Sequence, residues 1–504
     1  MWSIGELVAS NARKFAGREA LSLGSVAVSF DRLDDLVSRA AAVQRAAGVV
    51  KGDRVAVMGL NSPAWIIAAF GVWRLGAVVV PLNHKLAAAE VSFLLGHCQP
   101  RLWLLDGDFV PLARQVGWTL PLLTLDGMVD GVDSLERRLD QAGPFVAEAV
   151  AADDPAEILY TSGTTGKPKG CLHSHASAQL AGLSSNLAFA MSAHDRILLA
   201  MPVWHAFPLN NLLLGGTFVG ARLVLSAEYH PLEFLKTIDQ GRCSVVFGAP
   251  IALVMPLNAG IAVDDFDLSS VRAWVYGAGP IDPTTLERLR RHYRTGGFWH
   301  VFGMTETGPS GTALYPEEHD AKAGSIGRAA IPGCDVRVMR GDNVPAGPGE
   351  TGEIWMKSHS MMLGYFMDPA ATEASFVDGW YRTGDVARLD QDGYLFIVDR
   401  LKDMIVTGGE NVYSKEVEDV VIRFPGVIEV AVVGLPDADW GETVTAAVVA
   451  SGPLDMAALA AHCAAHLAGY KVPRQFRIVE RMPRTPTGKI MKYALRAMMG
   501  SAEQ

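Results

Sequence analysis

Residues 160–170 read Tyr160-Thr-Ser-Gly-Thr-Thr-Gly-Lys-Pro-Lys-Gly170, directly after the run Glu157-Ile158-Leu159. Three glycines, four aliphatic hydroxyls and two lysines occupy these eleven positions. Glycine lets backbone N–H groups approach phosphate oxygens, hydroxyls add donors and lysine adds charge, so such a loop after a strand reads as a phosphate cradle. The spacing is not that of a P-loop: G-x-x-G-K replaces G-x-x-x-x-G-K, and no hydroxyl residue follows Lys167. A second cluster, Gly347-Pro-Gly-Glu-Thr-Gly352, matches G-x-G-x-x-G literally. It contains Pro348 and leads into the strand-like EIWMKS instead of a helix, so it lacks the context of a dinucleotide fingerprint.

Outward from the loop, short apolar runs alternate with helical patterns. RVAVMGL (54–60), GAVVVPL (76–82), RLWLLD (101–106), ARLVLS (221–226), CSVVFGAP (243–250) and VRAWVYGAG (271–279) are predicted strands. Stretches 31–47, 84–97 and 282–294 between them are predicted helices. The alternation predicts an α/β fold with mostly parallel sheets, arranged as two parallel-rich subdomains. Between about 324 and 400 the texture changes to short strands and turns, a small barrel-like module. From 401 a compact α+β segment closes the chain. The expected domains are therefore 1–400 and a small mobile 401–504. Ala64 to Leu82 is nearly long enough to cross a bilayer. Arg74 at its middle, with Gly71 and Gly76, predicts instead a buried helix leading into a buried strand, with no membrane span.

The 504 residues carry 54 acidic and 44 basic side chains, a net charge of −10. Apolar residues at 49% and charged ones at 19% exclude a disordered chain. The acidic balance argues against a general nucleic-acid binder, but not against a small anion met by a local basic patch. The charge is uneven. Residues 471–504 hold eight basic and two acidic side chains, a net +6, which leaves −16 for the rest. Five scattered cysteines without C-x-x-C predict neither a disulfide framework nor a zinc ribbon, and a reducing cytoplasm. The N-terminal MWSIGELVASNARKF has no basic-then-apolar signal pattern.

YTSGTTGKPKG resembles the phosphate-loop signature of the adenylate-forming superfamily: acyl- and aryl-CoA synthetases, peptide-synthetase adenylation domains and firefly-type luciferases. In the same order as in that family follow PVWHAF (202–207), VFGMTETG (301–308), YRTGDVARLDQDGYLFIVDRLKDMI (381–405), GGENVYSKEVE (408–418) and RTPTGKI (484–490). The resemblance covers essentially the whole chain and is nearest to bacterial CoA ligases for aromatic and fatty acids.

The resemblance implies ATP, Mg²⁺ and coenzyme A. Thr161, Ser162, Gly163, Thr164, Thr165, Gly166 and Lys169 would surround the triphosphate. Thr305 would contact the α-phosphate and Glu306 would hold Mg²⁺. Gly277, Ala278 and Gly279 would lie flat against adenine. Phe302 stands where the family usually has tyrosine, followed by Gly303 and Met304. Asp385 would accept both ribose hydroxyls, supported by Arg400. Lys489 resembles the catalytic lysine, and Lys402 the hinge about which the small domain turns between half-reactions. Gly409 and Trp440 would border the pantetheine tunnel; Lys85 and Tyr470 are candidate partners of the CoA nucleotide. His205, in an apolar run, would line the acyl pocket with Phe207, Phe247, Gly303 and Gly308. No general base is required, because the attacking carboxylate is already ionised at pH 7. Cys171-Leu-His173-Ser-His175 places three metal-binding residue types in alternation, but without a fourth ligand it is read as structural.

The expected function is an ATP-dependent carboxylate–CoA ligase. It would make acyl-AMP and pyrophosphate, then pass the acyl group to CoA. The pocket segments PVWHAFPLNNLLLGG and VVFGAP contain no Lys or Arg, which predicts an apolar or aromatic monocarboxylic acid. Three alternatives stand beside it: an enzyme loading a separate carrier protein, a luciferase-like oxygenase, and a non-catalytic nucleotide-binding regulator. The oligomeric state is left open between a monomer and a homodimer.

Overall fold

The computed structural model describes residues 2–146, 148–161, 168–341, 343–437, 439–484 and 490–500. The chain divides into two compact units, Met1–Val336 with Trp355–Arg382, and Arg337–Ile354 with Thr383–Gln504.

The first unit contains two large sheets. One has seven strands in the spatial order Gly364–Tyr365, Lys169–Ser174, Pro155–Thr161, Val78–Leu82, Arg54–Met58, Leu102–Leu105 and Leu122–Thr124. Its strands from Val78–Leu82 to Leu122–Thr124 pair in parallel, whereas Pro155–Thr161 and Lys169–Ser174 form an antiparallel pair around the glycine-rich loop. The other has nine strands. Six of them, from Glu19–Leu23 to Phe298–Phe302 in spatial order, pair in parallel, and the sheet turns antiparallel at its ends. Val78–Leu82, Leu102–Leu105, Val245–Gly248 and Ala273–Gly277 are buried along their whole length. Parallel strands covered by helices on both faces must be apolar on both faces, which is why they read as continuous runs.

The 64–82 stretch is a helix, Pro63–Arg74, followed by the strand Val78–Leu82. Ser62 caps the helix by accepting from the Trp65 N–H, and Pro63 occupies its first turn, where no N–H is needed. Gly76, at φ +67°, turns the chain toward the strand. Arg74 is only 6% exposed and is fully engaged: Nη2 pairs with Asp34 Oδ1 at 2.6 Å and donates to the Gly5 carbonyl at 3.1 Å. Arg74→Leu strips both acceptors of their donor. Asp34 keeps 31% side-chain exposure, so the expected loss is about 3 kcal/mol, the low end for breaking a buried pair. It should appear as a lower urea midpoint at unchanged m-value. No helix among the described residues is long and apolar enough to cross a membrane.

The short strands between 324 and 400 make a third sheet, ordered Cys334–Met339, Thr351–Ser358, Trp380–Leu389 and Phe376–Val377, with Leu395–Arg400 paired to Trp380–Leu389. The unit boundaries fall within these strands, so the small unit also holds residues 337–354 and 383–400.

In the small unit a long antiparallel hairpin, Val427–Asp437 with Gly441–Ala450, carries the fold. Alternate residues leave its two faces, and each face buries a separate cluster. Val432, Val444, Ala446 and Val448 pack with the helices Ser414–Val421 and Met456–His466 through Val417, Val421, Leu459 and Cys463. Ala431, Val433, Leu435 and Ala447 pack with Leu495 and Met499 of the helix Lys492–Gly500.

Candidate functional site

The strand Pro155–Thr161 delivers the chain to the glycine-rich loop, and Lys169 stands opposite Thr161 in register where the chain returns. Ser162, Gly163, Thr164, Thr165 and Gly166 lie outside the described residues. Beside these strands in the first unit sits the turn Thr305–Thr307. The His173 ring, on the returning strand, donates from Nε2 to the Thr305 carbonyl at 2.9 Å. Glu306 is buried, and the Tyr365 hydroxyl donates to its Oε1 at 3.0 Å. The Tyr381 hydroxyl is 3.3 Å from that of Tyr365, and Lys169 Nζ lies 4.8 Å from the Tyr365 ring centroid. Burial pushes the Tyr365, Tyr381 and Cys171 groups up in pKa, so all three stay protonated around the carboxylate. One oriented carboxylate among neutral hydroxyls fits a hard cation such as Mg²⁺, which takes one protein carboxylate and fills its other positions with water and phosphate oxygens.

The buried strand Ala273–Gly277 ends in Gly277-Ala278-Gly279. A Cβ at Gly277 would sit 2.9 Å from the Val301 carbonyl oxygen, so the neighbouring strand requires this glycine. Ala278 holds φ +66°, a left-handed conformation costing an L-residue roughly 1–2 kcal/mol. Such strain clusters at ligand-binding positions. A Cβ at Gly279 would meet only Pro250 Cγ at 3.9 Å, leaving an open surface. Phe302 ends the adjacent strand Phe298–Phe302, half-buried, before Gly303 and Met304. Packing alone accounts for two glycines assigned to the acyl pocket. A Cβ at Gly303 would lie 2.8 Å from the Pro309 backbone, and one at Gly308 would collide with the Ser360 carbonyl.

Phe207 and Phe247 stack at 4.2 Å between centroids, both buried, and Phe247 Cε2 is 3.8 Å from the Cβ position of Gly277. The candidate acyl wall therefore adjoins the candidate adenine strand within one unit. Phe207 opens a wholly buried π-helix, Phe207–Leu214. His205 precedes it with an exposed side chain, its ring 6.1 Å from that of Trp204. Burial holds the pKa values of His173, His175 and His300 down at about 4. A depressed folded pKa means that the unfolded chain binds protons more readily. Stability should fall as pH drops from about 6.5 toward 4, read as a declining Tm.

In the second unit, Asp385 is buried and faces Arg400 across the strand pair, with Arg400 Nε 2.8 Å from Asp385 Oδ1. The guanidinium holds the carboxylate in place, and a carboxylate is a group able to accept from both hydroxyls of a diol. Next to it, Asp399 accepts from the backbone N–H of Arg400 at 2.7 Å and from the Ser414 hydroxyl at 2.7 Å. Lys492 Nζ pairs with Glu418 Oε1 at 2.7 Å and also reaches Ser414. Burial, with a smaller contribution from the Arg400 charge, lowers the pKa of Lys402. Lys489 lies outside the described residues. Trp440 lies against Gly408, where a Cβ would be 2.8 Å from its ring, whereas Gly409, at φ +84°, faces open space. Arg474 stacks its guanidinium 3.8 Å over Trp440 and donates to the Thr407 hydroxyl at 3.0 Å. Tyr470 is partly exposed, and its neighbour Lys471 pairs with Glu416 at 2.8 Å. Lys85 belongs to the first unit and lies 3.9 Å from Glu228 on an exposed surface.

Tyr365 and Tyr381 were not legible as partners of Glu306, because no local spacing links residues so far apart in sequence. The same holds for Asp399 with Ser414 and for Glu157 with Asn210, whose Nδ2 donates to Glu157 Oε1 at 2.6 Å. The Cys171–His175 alternation breaks where His175 starts the helix His175–Ala188, and its Nδ1 accepts from the Ile4 N–H at 3.2 Å. Gly347–Gly352 is a turn opening the strand Thr351–Ser358.

A held carboxylate beside the strands that bound the glycine-rich segment, and a small unit bearing an Asp–Arg pair, suit a nucleotide-binding enzyme. Residues 8–366 match the AMP-binding enzyme model and residues 416–489 the AMP-binding enzyme C-terminal domain, and the chain belongs to this family. Its relatives are CoA ligases, which are acid–thiol ligases. The long-chain-fatty-acid–CoA ligase FadD13 of Mycobacterium tuberculosis (strain H37Rv) is 37% identical, over 94% of this chain and 93% of its own. A feruloyl-CoA synthase of an Amycolatopsis species is 34% identical over 99% of both chains. Among solved structures, o-succinylbenzoate CoA synthetase of Bacillus subtilis in complex with ATP and magnesium ion superposes with a TM-score of 0.87 at 29% identity, covering 97% of this chain and 99% of that one.

Proposed function

We propose that this chain is an ATP-dependent carboxylate–CoA ligase working through an acyl adenylate. The observation that carries it is the Thr305–Glu306 turn, locked by His173 and Tyr365 against the strands that bound the glycine-rich loop. Thr161 to Gly166 and Lys169 bind the triphosphate. Thr305 contacts the α-phosphate, and Glu306 holds Mg²⁺, which when bound offsets phosphate charge. Gly277 to Gly279 and Phe302 to Met304 receive adenine, and Asp385 with Arg400 the ribose. The substrate carboxylate attacks the α-phosphorus and expels pyrophosphate, and Lys489 stabilises the charge that builds there. The CoA thiol then displaces AMP from the acyl carbon, along a path bordered by Gly409 and Trp440. Lys402 is the hinge between the two half-reactions, and Lys85 and Tyr470 are candidate contacts of the CoA nucleotide. All five thiols are free, as suits a reducing cytoplasm.

The acid is apolar or aromatic with a single carboxylate. His205, Phe207 and Phe247 form a neutral, apolar wall, and a second buried carboxylate without a cationic partner would cost several kcal/mol. Fatty-acyl and feruloyl relatives agree with this. The o-succinylbenzoate enzyme marks the alternative, because its substrate carries two carboxylates. Pyrophosphate release measured over long-chain fatty, aryl and dicarboxylic acids, with and without CoA, tests the proposal. Acid-dependent release with acyl-CoA formation is expected for the first two classes. No release with any acid would overturn the ligase assignment, and preference for a dicarboxylate would overturn the pocket assignment.

A further inference from the structure

Glu157 is fully buried on the strand that leads into the glycine-rich loop, and nothing in the ligase reaction uses it. The only hydrogen bond of its side chain among the described residues is Oε1 accepting from Asn210 Nδ2 at 2.6 Å. Glu157 Oε2 and Asn210 Oδ1 are both buried acceptors without a partner. Two orphaned acceptors flanking a single hydrogen bond cannot coexist cheaply with a carboxylate, but a proton resolves both at once.

We propose that Glu157 is a protonated positioning residue that forms a two-hydrogen-bond ring with the Asn210 amide and so fixes the acyl-pocket helix to the phosphate-loop strand. The carboxyl Oε2–H donates to Asn210 Oδ1 while Asn210 Nδ2–H donates to Oε1. The pairing joins two parts of the site that are remote in sequence. Thr161 lies four residues beyond Glu157 on the strand, and Phe207 begins the π-helix that carries Asn210. A π-helix leaves poorer backbone geometry than an α-helix and is typically retained where side chains must be aimed.

The surroundings favour the neutral acid. In register, Glu157 is flanked by Val79 on one strand and by His173 on the other. The π-helix contributes no ionisable side chain, and the helix His175–Ala188 contributes only His175. Both histidines are neutral at pH 7, and Lys169 of the returning strand stands opposite Thr161, four residues along from Glu157, so among the described residues no cation pairs with the carboxyl. Burial raises its pKa from 4.5 to about 7.

The test compares Glu157→Gln with Glu157→Leu in the full-length enzyme. Glutamine reproduces both bonds, its amide N–H replacing the carboxyl O–H, whereas leucine leaves Asn210 unpaired. Infrared spectra of the wild type at about pH 6 should contain a protonated-carboxyl stretch that is missing from Glu157→Gln. This readout needs no substrate, so it stands or fails independently of the ligase assignment on which the catalytic part rests. Because the folded acid binds its proton more tightly than the unfolded one, wild-type stability should fall as pH rises from 4.5 to about 7. Its Tm should therefore drop relative to Glu157→Gln across that window. In catalysis, Glu157→Gln should keep the KM for acid within about twofold, and Glu157→Leu should raise it about tenfold, matching the ~1–3 kcal/mol of an unsatisfied amide. Absence of the carboxyl stretch, a pH-independent Tm difference, or equal KM for the two variants would overturn the proposal.

Discussion

Lys489→Ala should cut pyrophosphate release by about 10²–10³-fold, the usual consequence of removing one preorganised group from developing charge. The chemistry is asymmetric between the two half-reactions. In the first, attack on the α-phosphorus loads negative charge onto non-bridging and bridging oxygens, and a positioned ammonium stabilises this more than it stabilises bound ATP. In the second, a thiolate attacks an acyl carbon and AMP leaves, a step the same lysine need not attend. Thioester formation from supplied acyl-AMP should therefore fall far less. The helix that follows, Lys492–Gly500, is anchored within its unit by Lys492 on Glu418 at 2.7 Å and Arg496 on Asp403 at 3.3 Å. Truncating Lys489 should leave that anchorage untouched, so a melting temperature equal to wild type is part of the expected result. Equal loss in both half-reactions would remove the lysine from its assigned role.

Glu306→Gln should lower kcat/KM for ATP by about 10²-fold and raise the Mg²⁺ concentration needed for half-maximal rate. A neutral amide oxygen is a weak ligand for a hard dication, and several kcal/mol of charge stabilisation depend on that ion. Glutamine keeps the shape and can still accept from Tyr365, so the fold should persist. Tyr365→Phe is the graded companion. It removes the hydroxyl that holds Oε1 at 3.0 Å while leaving the carboxylate charge. One lost hydrogen bond to a charged group, about 1.5 kcal/mol, corresponds to roughly a tenfold effect. A Mg²⁺ response unchanged in Glu306→Gln would place the metal elsewhere.

The two predictions draw on different kinds of information. The Lys489 assignment comes from a short ordered pattern in a basic tail. Glu306 is also visible in the sequence, but the reason its carboxylate is held comes from Tyr365, 59 residues away in the chain. Local pattern registers residues that lie side by side along the chain. It is blind to pairs made by sheet order, and Gly364–Tyr365 reaches the site only by adding an edge strand beside Lys169–Ser174. Glycines carry a packing constraint that the pattern does not reveal. Gly303 and Gly308 stand in a recognisable motif and read as room for a ligand, yet the close approach of Pro309 and Ser360 already requires them.

The sequence by itself determined the α/β class, the places of the buried strands along the chain and the glycine-rich segment, because buried runs, turn chemistry and motif spacing are properties of neighbouring residues. Only the tertiary structure decided which groups are oriented and which are kept neutral by burial. It brought Tyr365 to Glu306, buried His173 until its ring stayed uncharged, and set Glu157 against Asn210. Orientation and ionisation depend on what is packed around a group and how far it is from water. The strands and helices that supply that packing lie tens to hundreds of residues away along the chain.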